Sequence, residues 1–93
     1  MEKTIYTGNV KTLRKRAGRY TLSIAILELN NCIINMDVHD SIVETLGHSK
    51  LCTALIKKIY DNIPEEIKLI KSNNYWEIIN EDKILSDAIC RAM

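Results

Sequence analysis

Leu46-Gly47-His48-Ser49 holds the residue types in this chain best suited to chemistry. Gly47 can take backbone angles closed to other residues. His48 is an imidazole with an unperturbed pKa of about 6.5. Ser49 can cap a helix running on through Ile59. A glycine turn, a titratable ring and a free helix N-terminus could together hold a phosphate and protonate a leaving alkoxide. The bland alternative is a histidine hydrogen-bonded at a helix start, with no chemistry. His48 is therefore the candidate catalytic acid, with Gly47 and Ser49 as candidate phosphate ligands.

A second constellation is basic. Lys11, Arg14, Lys15, Arg16 and Arg19 place five cations within nine residues. Such a patch attracts anions. Lys11, Arg14 and Arg16 are its candidate ligand-binding residues, with Tyr20 and Tyr6 near enough to stack bases. The competing reading is a solvated loop. His39, alternating with Asp37, reads as a polar rim residue, and Trp76 as core.

Several classes of chemistry lack their residues. There is no P-loop, GxGxxG or GxSxG pattern, so no cofactor is expected. No CxxC spacing exists, which disfavours zinc. Cys32, Cys52 and Cys90 each have apolar neighbours and read as small buried hydrophobes in a reducing compartment. Asp37, Asp40 and Glu44 are close in sequence, but two-metal chemistry needs carboxylates converging from separate strands, and the first strand offers none.

The elements that must position these residues belong to one small domain spanning 1–93. A chain of 93 residues buries only about 60–65% of its unfolded surface, so dimerisation would help it. Apolar residues make up 46%, ample for a globular core. The net charge of +1 hides an asymmetry: residues 1–36 carry six Lys/Arg against two Glu, and residues 37–93 seven against ten acids. The apolar runs are too short to span a bilayer, and Met1–Val10 lacks a signal-peptide core. A cytoplasmic protein without membrane association is expected.

Thr4–Thr7 reads as a strand ended by Gly8-Asn9, with 11–19 a loop or helical turn closed by Gly18. Tyr20–Leu29 is apolar on both faces and reads as a central strand. Asn30-Asn31 then makes a two-residue turn into Cys32–Val38, which sets Leu27 opposite Ile34 and Ala25 opposite Met36. The small Ala25 and Ser23 would leave room for a helix there. Ser41-Ile42-Val43-Glu44 has capping-box spacing. Either one helix runs from Ser41 to Asp61, with Gly47 costing it about 1 kcal/mol, or Ile42–Leu46 is extended and the helix starts at His48 or Ser49. Only the second puts His48 at a helix N-terminus. Asn62-Ile63-Pro64 ends the helix. Ile67–Ile70 and Tyr75–Ile79 form a second hairpin, and Ser86 caps a short final helix. The order β-β-β-α-β-β-α is an α+β domain with a mostly antiparallel sheet and its main helix, 41/48–61, packed on it.

Four pieces match a known family in order: Met1-x-Lys3 opening a strand, Leu46-Gly47-His48-Ser49 before a helix, Glu66-Ile67-Lys68-Leu69 opening a hairpin, and Lys83-Ile84-Leu85 leading into a late helix. On these the chain resembles the small viral ring nucleases, anti-CRISPR proteins that degrade cyclic tetra-adenylate. The resemblance implies a homodimer in the host cytoplasm that encloses a cyclic oligoadenylate. It implies metal-independent attack by the ligand's own 2′-hydroxyl, with His48 as general acid and Gly47 in the phosphate-binding turn. The chain departs from the family in its short link from Ile79 to Lys83, its acidic Glu65-Glu66 and its lack of a C-terminal strand. The order of elements, with Ile5-Tyr6-Thr7-Gly8 at the start, also resembles the RNase H-like fold. There Gly8 and Ser72 stand in place of metal-binding acids, which implies a binding role without catalysis. The alternative to an enzyme is thus a phage or mobile-element binding module that uses Lys11–Arg19 on nucleic acid or an acidic protein surface.

Overall fold

The computed structural model describes residues 3–47 and 52–93. Five strands form one sheet: β1 Thr4–Arg16, β2 Arg19–Ile26, β3 Cys32–Asp37, β4 Glu66–Ser72 and β5 Tyr75–Ile78. Their order across the sheet is β3-β2-β1-β4-β5, and each neighbouring pair is antiparallel. Three helices accompany them: α1 His39–Leu46, α2 Thr53–Asp61 and α3 Glu81–Ala92. The α+β class and the antiparallel sheet are as expected, while several element bounds differ.

Gly8 does not end the first strand. It pairs with Ile26 of β2 and Ile67 of β4. A Cβ built there would lie 2.4 Å from Ile24 Cγ2 and 2.6 Å from Leu69 Cδ1. Both side chains are fully buried, so the missing side chain is what lets the neighbouring strands' residues close over β1. The strand therefore runs on, and segment 11–19 is neither loop nor helix. It is the far half of β1, followed by a turn at Ala17 (φ 50°) and Gly18 (φ 78°) into β2. Two successive left-handed residues suit the twist of a tight hairpin.

Asn30 (φ 54°) and Asn31 (φ 59°) are both left-handed, as their residue type favours. The register they sit in differs from the expected one. Leu27–Leu29 winds into a 3₁₀ turn, so Ile24 faces Ile34, Leu22 faces Met36 and Ala25 faces Ile33. Leu22, Ile24 and Ile26 join the core with Ile42, Ile59, Leu85 and Ile89 of the helices. The helices thus cover this face, and not the face of Ser23 and Ala25.

Residues 41–61 form neither one helix nor a strand followed by a helix. Ile42–Leu46 is helical, and Gly47 ends α1 with φ 76° and ψ −165°, backbone angles essentially confined to glycine. The capping box does not form. Val38 precedes the first residue of α1, and Ser41, inside the helix, turns its hydroxyl toward α3. The final helix begins at Glu81 rather than near Ser86.

Gly8→Ala should destabilise the fold by about 1–3 kcal/mol, because an added methyl overpacks two immobile neighbours. Chemical denaturation of the two proteins measures this. Equal midpoints would show that Ile24 and Leu69 can give way.

Candidate functional site

A β-bulge positions the basic residues. The β1–β2 register shifts between Val10 and Thr12, leaving Lys11 as the extra residue. Before the shift Val10 pairs with Ile24; after it Leu13 pairs with Leu22. Both pairs lie in the core. The bulge thus changes which residues of β1 face inward. Without it Arg14 and Arg16 would fall on the side of the helices. With it they pair across from Thr21 and Arg19 on the uncovered face, and both are exposed. Tyr60 of α2 donates its hydroxyl to the bulged Lys11 carbonyl at 2.8 Å.

The five cations are not equivalent. Arg19 donates to Asp37 and also reaches Asp40 at 3.4 Å. The hydrogen bond to Asp37 is the largest influence raising the Arg19 pKa, and it holds the Asp37 carboxyl below its ordinary 3.8. Lys15 lies over the Tyr20 ring, 5.4 Å from its centroid. Lys11, Arg14 and Arg16 have no acidic partner among the described residues. Arg14 and Arg16 therefore present positive charge on the uncovered face, while Lys15 lies with Tyr20 on the helix side and Lys11 stands at the bulge beside α2. An apolar groove of ≈ 250 Å³ lies beside it, lined by Lys11, Thr12, Leu13, Thr53, Ile56 and Tyr60, among others. Thr53 opens α2, so the start of that helix shares this groove with Lys11.

Of the aromatic candidates, Tyr20 meets the basic segment through Lys15 and Tyr6 is engaged elsewhere. Tyr20 is 4% exposed and stacks on His39, with centroids 5.4 Å apart. Tyr6 packs on Trp76 at 5.1 Å. Tyr20 thus has no free face for stacking bases, and half-buried Tyr6 has one side taken up by the tilted contact with Trp76. His39 is a half-buried packing partner rather than a rim residue, and its Nδ1 is buried without a hydrogen-bond partner. The three cysteines are free and exposed rather than buried, because an apolar neighbour in sequence does not say which face a side chain takes.

Of the Gly-His stretch, Gly47 is described, and its left-handed φ places a chain break at the end of α1. His48 and Ser49 lie outside the described residues. Gly8 and Ser72, which stand where the RNase H-like resemblance would set acids, do not come together. Gly8 pairs with Ile67 on the core side, whereas Ser72 lies at the other end of β4 beside Tyr75. No group of three or more His, Cys, Asp or Glu among the described residues could hold a metal ion, and no described helix is long and apolar enough to cross a membrane.

One polar cluster has no counterpart in the sequence reading. Ser41 of α1 meets Glu81 and Asp82 of α3, forty residues away. Only tertiary structure brings these together, so no local spacing could reveal them. No protein-family model, curated protein or solved structure matches the chain.

Tyr60→Phe removes one hydrogen bond to the bulge and should cost about 1 kcal/mol. Amide exchange at Thr12–Arg16 should quicken more than exchange in β4. A uniform change across the sheet would mean that Tyr60 does not anchor the bulge.

Proposed function

We propose that this chain is a binding module that engages the phosphates of a nucleic acid through the end of its β1–β2 hairpin. The observation that carries the reading is the unpaired charge of Lys11, Arg14 and Arg16, set beside an Arg19 that is spent on Asp37 and Asp40. Phosphate contacts of this kind fix position without reading sequence. The burial of Tyr20 and the partial burial of Tyr6 against Trp76 reduce the stacking surface that single-strand recognition uses. Recognition is then electrostatic, salt-sensitive and largely indifferent to sequence. An acidic protein surface would satisfy the same charges, and the binding assay below separates the two.

A second reading follows the ring-nuclease resemblance. A homodimer in the host cytoplasm would bind a cyclic oligoadenylate, with His48 protonating the leaving oxygen as the ligand's 2′-hydroxyl attacks. What supports it is the break at Gly47 immediately before His48, together with Lys11 beside the start of α2.

Nucleic-acid binding should weaken with salt, with a log–log slope of about −2 to −4 for three or four neutralised phosphates. Reversing Arg14, Lys15 and Arg16 to Glu should abolish it. Unchanged affinity in that variant, or binding only to acidic protein, would remove the nucleic-acid reading. For the second reading, incubation with cyclic tetra-adenylate should yield linear products, and His48→Ala should stop their formation. Intact ligand and no bound complex would end that assignment.

A further inference from the structure

Ser41 is 7% exposed. Its Oγ lies 2.6 Å from Glu81 Oε2 and 2.8 Å from Asp82 Oδ1. A serine hydroxyl has one proton and donates once. If both carboxylates were ionised, the single proton could not fully serve both contacts, and two negative charges would meet at one buried hydroxyl. We propose that Ser41, Glu81 and Asp82 form a proton-sharing clasp between α1 and α3. In it the Glu81 carboxylic acid donates to Ser41 Oγ, Ser41 donates to the Asp82 carboxylate, and loss of the Glu81 proton opens the clasp as pH rises.

Exposure decides which carboxyl keeps the proton. Asp82 is exposed and Glu81 is half-buried. Burial is the largest influence on Glu81 and pushes its pKa above the ordinary 4.5. Donation from Ser41 to an ionised Glu81 would act the other way, and the charges of Asp82, Asp37 and Glu77 push upward again. Around the clasp, α1 carries His39, Asp40 and Glu44, β3 ends in Asp37, and β5 contributes Glu77. The cations nearby are occupied. Arg19 is held by Asp37 and Asp40, and Lys83, which follows Asp82 on α3, reaches Asp87 at 3.2 Å. No described cation pairs with Glu81 to favour its ionised form. Because the folded pKa lies above the unfolded one, the clasp contributes fully below about pH 4.5 and is lost as pH rises through the folded value.

The experiment is a carbon-detected titration of the Glu81 carboxyl in the intact chain, with thermal unfolding of wild type and Glu81→Gln from about pH 4 to pH 7. The Glu81 midpoint should lie above 4.5, and Asp82→Asn should lower it by leaving Ser41 free to donate to Glu81. The Gln amide donates to Ser41 at every pH, so the wild type should lose stability relative to Glu81→Gln as pH rises. A wild-type midpoint at or below 4.5, or a constant gap between the two unfolding curves, overturns the proposal. Should the variant fail to fold, the wild-type titration decides alone.

Discussion

The extra residue at Lys11 governs how β1 is used, and much of the molecule follows from it. A strand alternates its side chains with period two. In β1 the near half must turn Gly8 and Val10 toward the helices, and the far half must turn Leu13 inward and Arg14 and Arg16 outward. No unbroken alternation does both. One inserted residue resolves the conflict, and the freed carbonyl is taken up by Tyr60. A single continuous strand then serves as the centre of the sheet and as a cationic arm. Were the bulge lost, two guanidinium groups would be driven toward the core, at a cost far above that of one hydrogen bond.

Gly8 is the second condition on the same strand. The central strand of a one-sided sheet must bring the residues of both neighbours over itself. At Gly8 this closes fully, with Ile24 from β2 and Leu69 from β4 occupying the space a side chain would fill. The two features lie three residues apart, and both arise in a segment whose composition suggests a strand end or loop. Glycine, asparagine and a run of cations are all poor strand formers, so local propensity argued for an ending where packing demanded continuation.

That contrast shows what could be read from the residues. The apolar run Tyr20–Leu29 marks a strand but overruns β2 by the three residues of the 3₁₀ turn, the β-branched runs at Ile67–Ile70 and Tyr75–Ile79 mark strands directly, and asparagines tolerant of positive φ mark the turn at Asn30-Asn31. The β2–β3 register was not legible, because three residues consumed in a 3₁₀ turn shift the pairing by an odd number and exchange the faces. Whether Gly47 interrupts residues 41–61 was not legible, since a glycine inside a helix costs only about 1 kcal/mol and packing can outweigh that. Among the site residues, the exposure of Arg14 and Arg16 followed from their charge. The neutralisation of Arg19 did not, because Asp37 and Asp40 lie eighteen and more residues away.

The charges of the sheet end and of the helix layer are handled in opposite ways, and this bears on what each can do. Around α3 the acids crowd together, and Ser41 draws two of them into contact with α1, so that negative charge is managed within the fold. At the hairpin the cations are left without acids although Asp37 and Asp40 are close enough to serve Arg19. Fold stability gives no reason to leave like charges adjacent and unpaired, since they repel. Opposed to solvent alone they are a net cost; opposed to a phosphate backbone the same spacing is favourable, through contacts and released counterions. The fold thus gathers acids at the contact of α1 and α3 and leaves Lys11, Arg14 and Arg16 without acidic partners among the described residues, and this contrast is the ground on which the proposed phosphate contacts rest.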